Sequence, residues 1–128
     1  MKVTQKQVEA VFKLSAPKRY SHFIKVAVDW EKVWGLYNNG WAMSEDDRGK
    51  PVFPLWPAKG YAEACANGEW RDYHPESIDI NEFVNELLPL LNEKGISPGI
   101  FFVPEQGSVD ATIDTIIEDL LAELERYK

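Results

Sequence analysis

The sequence predicts an α+β fold: a two-layer sandwich with an antiparallel three-stranded meander that extends into a mixed sheet and is packed by helices. Three observations support this class. Strand patterns are concentrated in residues 33–57, VWGLYNNGWAMSEDDRGKPVFPLWP. Helical patterns precede and follow this stretch. A nearly continuous apolar run, ISPGIFFV, then lies between two helical patterns and is typical of a buried strand.

Two helices are predicted before the meander. Thr4 followed by Gln7 forms a capping box, which is typical of a helix start, and this helix is expected to end near Leu14. Pro17 suits the first turn of a second helix. Its apolar residues recur at spacings of three and four, so the helix is expected to reach residues 29–31.

The meander is predicted from its turns. Asn39-Gly40 indicates a tight hairpin with a two-residue loop, because both residues adopt positive φ readily. Side chains alternate along a strand, so one face of this hairpin should carry Trp34, Leu36, Trp41 and Met43. The third strand, residues 52–56, is apolar on both faces and should lie inside the sheet. Pro54 instead favours an edge position or a bulge.

A third helix is predicted from Pro57 onward. It should span residues 58–67 and end at Gly68, because glycine is the usual residue after a helix C-terminus. Residues 69–75 show no clear pattern and are expected to be irregular, with room for a short strand.

The C-terminal part should contain two helices on either side of the apolar run at residues 96–103. Asp79 is expected to cap the first helix, Pro89 to kink it and Gly95 to end it. Asp110 is expected to cap the second. An apolar stripe on this last helix comprises Ile113, Ile116, Ile117, Leu120, Leu121 and Leu124. The strand between them should join the meander through a right-handed crossover.

Composition limits the classes of function. The 128 residues are expected to form a single domain, residues 1–128. The net charge of −7 argues against nucleic acid or an anionic membrane as partner, since both require a basic face. The single cysteine, Cys65, suits a reducing compartment. The N-terminus lacks the pattern of a signal peptide, so a cytoplasmic location is expected.

The stretch VWGLYNNGWAMSEDDRGKPVFPLWPAKGYAEACANGEW carries a specific set of motifs. They are Val-Trp-Gly-Leu, Gly-Trp-Ala, an acidic turn, Pro-Leu-Trp-Pro, Tyr-Ala and Gly-Glu-Trp, at residues 33–36, 40–42, 45–47, 54–57, 61–62 and 68–70. This set resembles the signature of a bacterial family known as domain of unknown function 2750, from about Tyr20 to the C-terminal helix. The resemblance implies a small, single-domain cytoplasmic protein without an assigned activity, and it offers no catalytic residues.

Catalytic and metal-binding patterns are weak. The acidic run at residues 45–47 lacks the alternating ligands of a calcium loop and is interpreted as a solvated turn. His22 and His74 show no ligand spacing with Cys65, which lies on the apolar stripe of the third helix. No cofactor, metal or catalytic group is therefore predicted. An enzyme built on Asp46, Asp47 and a histidine is the least favoured class.

The aromatic residues suggest a binding surface. Tryptophan is enriched at interfaces because it buries a large area and still offers a hydrogen-bond donor. The predicted surface comprises Trp56, Lys59, Tyr61 and Trp70. The competing interpretation is that these aromatic residues form the core of a small domain.

The leading hypothesis is a non-enzymatic protein-interaction module, such as an adaptor, an inhibitor or an immunity-like protein. Its acidic surface would favour a basic protein partner. The alternative is a small-molecule or anion-binding domain that uses the helix start at Pro57. Nothing in the residues requires self-association, and the oligomeric state stays open.

Overall fold

Six helices and a 3₁₀ turn surround a curled, mixed β-sheet in the computed structural model, which describes residues 2–127. The N-terminal elements are α1 Gln5–Phe12, α2 Ala16–Trp30, β1 Lys32–Tyr37, β2 Ser44–Glu45, β3 Pro51–Leu55 and α3 Lys59–Ala64. The 3₁₀ turn Gly68–Trp70 and β4 His74–Asp79 follow. The C-terminal elements are α4 Ile80–Glu82, a π-helical turn Phe83–Leu87, α5 Leu88–Lys94, β5 Ser97–Val103, β6 Gly107–Val109 and α6 Ile113–Glu125. The predicted α+β class is confirmed.

The strands form two ladders that meet at one point. The larger has the order β2-β3-β5-β6, with β3 and β5 parallel, and the smaller pairs β1 with β4 in antiparallel register. Trp34 and Trp56 join the two ladders, because each backbone N–H donates to the other residue's carbonyl oxygen at 2.8 Å. The sheet therefore continues from β3 to β1 and curls as it does so.

The predicted register of the first hairpin is wrong, whereas the predicted antiparallel pairing of the second and third strands is confirmed by β2 and β3. β1 pairs with β4 over six residues, from Lys32 opposite Asp79 to Tyr37 opposite His74. The turn after β1 is wider than expected: Tyr37 forms a bridge with Trp41, and the residues between them form the loop. Asn39 and Gly40 both have positive φ, as predicted, at +57° and +150°, but three residues rather than two separate the bridged pair. β4 lies along the opposite edge of β1, since on the predicted edge the Ala42 N–H donates to the Leu36 carbonyl oxygen at 2.8 Å.

Pro54 lies inside the sheet, and the predicted edge position is wrong. β3 has β2 on one side and β5 on the other. Backbone groups alternate in direction along a strand, so residue 54 faces the same edge as residue 56. On that edge, β2 ends opposite Val52 and β1 begins its contact at Trp56. A residue without an N–H is therefore tolerated in the gap between β2 and β1.

Local signals predicted three helix ends correctly. The capping box of Thr4 and Gln7 and the cap at Asp79 are confirmed, and Gly95 ends α5 in the left-handed conformation at φ +70°. Pro89 is preceded by the π-helical turn Phe83–Leu87. Proline has no N–H for the carbonyl of residue 85, and the Leu88 N–H instead bonds to the Phe83 carbonyl, one residue further back than in an α-helix.

The third helix is shorter than predicted. It covers Lys59–Ala64 rather than residues 58–67, and Gly68 starts the 3₁₀ turn with φ +57° instead of ending the helix. The sequence also indicated no ordered strand at Gly107–Val109, where β6 forms the outer strand of the larger ladder. Both differences arise in short segments whose conformation depends on their neighbours.

The last helix begins later than predicted and buries less. Thr112, not Asp110, is its cap: the Thr112 hydroxyl accepts from the Thr115 N–H at 3.1 Å. Of the six apolar residues in the predicted stripe, only Ile116 and Leu120 are fully buried, and Leu121 is 51% exposed. The helix packs on α2 and α5, and Ile113, Ile117 and Leu124 are partly buried against the core.

Alanine substitution of each candidate cap residue, Thr112 and Asp110, tests which one stabilises the start of α6. Thr112→Ala is expected to lower the free energy of unfolding by about 1 kcal/mol, because an N–H of the first turn loses its acceptor. Asp110→Ala should change it by less than about 0.5 kcal/mol, as for other exposed positions. Urea denaturation followed by circular dichroism measures both. A larger loss of stability for Asp110→Ala than for Thr112→Ala would instead show that Asp110 caps the helix, as the sequence predicts.

Twenty-nine buried apolar side chains form one continuous core between the sheet and the helices. Among the described residues, no helix combines the length and the apolar composition needed to cross a bilayer.

Candidate functional site

Trp56 and Trp70, two members of the predicted surface, lie in the core. Trp56 is fully buried, and its indole Nε1 donates a hydrogen bond to the Phe102 carbonyl oxygen at 2.8 Å. Trp70 contacts the same residue, with 5.2 Å between ring centroids, and is only 7% exposed. Because these rings are enclosed and the Trp56 donor is satisfied internally, they offer little surface to a partner.

The other two residues of the predicted surface, Tyr61 and Lys59, differ in exposure. Tyr61 is fully buried against Phe101, and a hydrogen bond of 3.0 Å joins its hydroxyl to His22 Nε2. Burial raises the pKa of Tyr61. Lys59 is exposed. The expected aromatic cleft therefore does not match the burial of its three rings, and the competing interpretation as core describes them.

The helix start near Pro57 is enclosed. Pro57 and Ala58 are buried, and α3 begins at Lys59 with six residues, too short for a substantial dipole. Val3 lies across Gly60: a Cβ at this glycine would come within 2.8 Å of the Val3 Cβ. This close approach explains a glycine inside a helix. It also covers the site that the anion-binding alternative would use.

The titratable candidates occupy separate places. The Asp46 carboxylate accepts the backbone N–H groups of Arg48 and Lys50, both at 2.9 Å, and these bonds lower its pKa. It therefore organises its own turn. His74 is exposed beside Glu76, whereas burial raises the pKa of the Cys65 thiol to about 12. Within residues 2–127, no three His, Cys, Asp or Glu side chains are grouped to hold a metal.

His22 should make stability depend on pH. Burial lowers its pKa below the ordinary value of 6.5, so the unfolded chain binds the proton more readily. Stability is thus fully present above that value and declines as the pH falls through it. We expect urea denaturation between about pH 7.5 and about pH 5.5 to show this decline in the wild type and less of it in His22→Gln. An unchanged slope in His22→Gln would contradict the assignment.

A different surface brings apolar and acidic side chains together. A groove of about 260 Å³ runs between the turn after β1 and the helical segment 80–94. Its lining residues are Trp41, Ile78, Glu82, Glu86, Leu87 and Leu90. We call it the Trp41–Leu90 groove. Ile78 is buried and forms its floor, whereas both glutamates are exposed at its border.

Close packing holds Trp41 in place. A Cβ at Gly35 would lie only 2.9 Å from two atoms of the Trp41 ring, so the indole rests on the bare backbone of β1. Tyr37 and Phe53 contact the same ring, at centroid distances of 5.1 and 5.5 Å. The ring stays partly exposed. The wall that Trp41 contributes is therefore fixed before any partner arrives.

The opposite wall comes from the interrupted helix. Its buried side carries Phe83, Val84, Leu88 and Leu91. Leu87 is half-buried, and Leu90 is 43% exposed. The π turn before Pro89 changes the angular spacing of the residues around it. The segment thus has more apolar side chains than its buried face accommodates, and the surplus faces the groove.

The groove has a negative border. Its only charged lining residues are Glu82 and Glu86, and no cationic side chain lines it. In the part of the chain that the structure describes, residues 2–127, neither carboxylate forms an ion pair. A larger depression of about 490 Å³ near the start of α6 is different, because Lys50 and Asp110 both line it.

Sequence reasoning missed this groove for a physical reason. Trp41 was placed on a strand face, and its position against the helix depends on the β1–β4 pairing that the hairpin signal hid. One signal was available: Leu90 lies outside the helical stripe of its segment, and an apolar residue off the stripe indicates a second contact.

The family comparison agrees with the motifs. The profile of the family described as protein of unknown function (DUF2750) matches residues 20–120. No curated protein and no solved structure matches the chain. Because the match covers most of the sequence and includes every motif on which the resemblance rests, the chain belongs to the DUF2750 family.

Proposed function

We propose that the protein is a non-enzymatic protein-interaction module and that the Trp41–Leu90 groove is its binding site. One observation carries the proposal: partly exposed apolar side chains lie together in a groove whose only charged residues are acidic. A scattered surface leucine needs no explanation, but adjacent apolar residues in a concave surface are typical of protein interfaces.

Trp41 has the properties of an interface anchor. Its ring is held by Gly35, Tyr37 and Phe53, so binding would cost little conformational entropy. Its indole Nε1 takes part in no hydrogen bond among residues 2–127, unlike the Nε1 of Trp56. A large apolar surface with an unused donor supports a role in binding.

The charge of the groove favours a basic partner. Glu82 and Glu86 belong to a chain whose net charge is −7, so a positive protein segment would be attracted over a distance. A second copy of the same groove would bring like charges together, which disfavours a symmetric dimer through this face. The alternative function, small-molecule or anion binding at Pro57, has weaker support because Val3 covers that helix start.

Site-specific photo-crosslinking tests the proposal. Benzoylphenylalanine at Leu90 is expected to give one dominant adduct in the native cell, whereas the same group at Leu121 should give none. Leu121 is the matched control because it is also a leucine on a helix and is similarly exposed, at 51% against 43%. The charge reversals Glu82→Lys and Glu86→Lys should abolish the Leu90 adduct.

Support requires two further results. The captured protein, once purified, must bind the wild type and must contact it through a basic segment. Equal crosslinking at both leucines, or an adduct that survives both charge reversals, would overturn the proposal.

A further inference from the structure

We infer that the partner presents an arginine side chain to the Trp41–Leu90 groove; this inference rests on the proposed function and identifies the group that the groove recognises. The arginine would lie along the apolar wall, with its guanidinium between the two glutamates and the Trp41 indole. The argument uses the shape of the groove, the position of its charges and the chemistry of basic side chains.

Apolar and acidic side chains lie next to each other in the groove, an arrangement that suits a long basic side chain. Glu82 and Glu86 are four residues apart on the same side of the interrupted helix, and both line the groove. Leu87 and Leu90 lie on that helix as well, and Trp41 lies across from it. A basic side chain entering here would bury its aliphatic stem on the leucines while its charged end meets the carboxylates.

Arginine fits these features better than lysine. Its guanidinium is planar and weakly hydrated, so it stacks on an indole at a smaller desolvation cost than an ammonium group. Its five N–H donors in a fixed plane can bond to two carboxylates at once, whereas lysine acts as a point charge. Arginine therefore stacks on Trp41 with a smaller loss of hydration than lysine while it bonds to both glutamates.

Three capped peptides test this inference: acetyl-Leu-Arg-Leu-amide, the same peptide with lysine, and the same peptide with citrulline. Citrulline keeps the planar shape and lacks the charge. Titration into ¹⁵N-labelled protein is followed at the Trp41 indole N–H and at the Glu86 and Leu90 amides. We expect saturable shifts with the arginine peptide. Its affinity should exceed that of the lysine peptide about fivefold, equivalent to about 1 kcal/mol.

Variants identify the source of the preference. Glu82→Gln with Glu86→Gln should reduce the preference for the arginine peptide over the citrulline peptide to the part that Trp41 supplies, because both glutamines keep the shape and remove the charge. Trp41→Leu should reduce the preference for arginine over lysine. Leu90→Ala should weaken all three peptides by a similar factor, since it removes contact with the stem alone.

The outcomes distinguish this inference from the proposed function. Equal binding of the three peptides, or no saturable shift with the arginine peptide at millimolar concentration, overturns the arginine inference. In either case, a crosslink from Leu90 to a partner would still support the proposed function. If Leu90 gave no crosslink but the arginine peptide still bound saturably, the groove would recognise arginine, and the proposal of a protein partner would be rejected.

Discussion

Trp56→Ala is expected to lower the free energy of unfolding by about 3–5 kcal/mol, the usual range for removing a buried tryptophan. The indole is fully buried between Trp70 and Phe102, so its removal leaves a cavity that rigid neighbours cannot fill. The Phe102 carbonyl oxygen also loses the donor that bonds to it at 2.8 Å. Equilibrium urea denaturation, followed by far-ultraviolet circular dichroism, measures the change.

Trp41→Ala is the matched control for this prediction. Trp41 is the same residue type but is partly exposed, so we expect its replacement to cost about 1–2 kcal/mol. Trp56→Phe adds a second comparison, because it keeps an aromatic ring and removes the N–H. If Trp41→Ala destabilised the protein more than Trp56→Ala, the assignment of Trp56 to the core and Trp41 to the surface would be wrong.

The contrast between these tryptophans shows what sequence reasoning could reach. The apolar run at residues 52–56 correctly predicts a strand, which the structure places at Pro51–Leu55, and the caps at Thr4, Asp79 and Gly95 follow from local backbone chemistry. Such signals depend on a few neighbouring residues. They fix where an element begins or ends, but they do not state which strands pair.

The exposure of a side chain depends on which strands pair, so local sequence patterns could not predict it. Trp56 became core because it pairs with Trp34 and its ring packs against Phe102, a residue 46 positions later. Trp41 is partly exposed because the hairpin pairs Tyr37 with Trp41 rather than with Ala42. This shift of one residue places Trp41 on the face of Gly35 and Tyr37 instead of the face of Leu36. Both assignments depend on contacts between residues that are distant in the sequence. The burial of Trp56, Tyr61 and Trp70, which the aromatic pattern left open, therefore follows from tertiary structure.

Arg19 shows the same dependence in a buried charged residue. It lies on α2 and is only 2% exposed, yet no carboxylate among residues 2–127 forms an ion pair with it. Its Nη1 donates to the Leu14 carbonyl at 3.2 Å and to Gln106 Oε1 at 2.8 Å, and its Nη2 donates to the Gly107 carbonyl at 3.4 Å. Gln106 in turn donates to the Phe12 carbonyl at 3.2 Å. Arg19 thus ties the α1–α2 turn to the hairpin between β5 and β6.

Arg19→Ala is therefore expected to lower the free energy of unfolding by about 3 kcal/mol, from the loss of charge-assisted hydrogen bonds and of buried side-chain volume. Arg19→Met should cost about 1–2 kcal/mol less than the alanine variant. It fills most of the volume and avoids burying both a charge without a counter-ion and the unpartnered Arg19 Nε.

Urea denaturation of both variants, with exposed Lys18→Ala as the control, measures these differences. The control should change stability by less than about 0.5 kcal/mol. A double-mutant cycle with Gln106→Ala should show coupling, because the two side chains share one hydrogen-bond network. Additive losses for Arg19 and Gln106 would mean that the tie between the helical turn and the hairpin does not act as a unit, and that Arg19 stabilises the fold through packing alone.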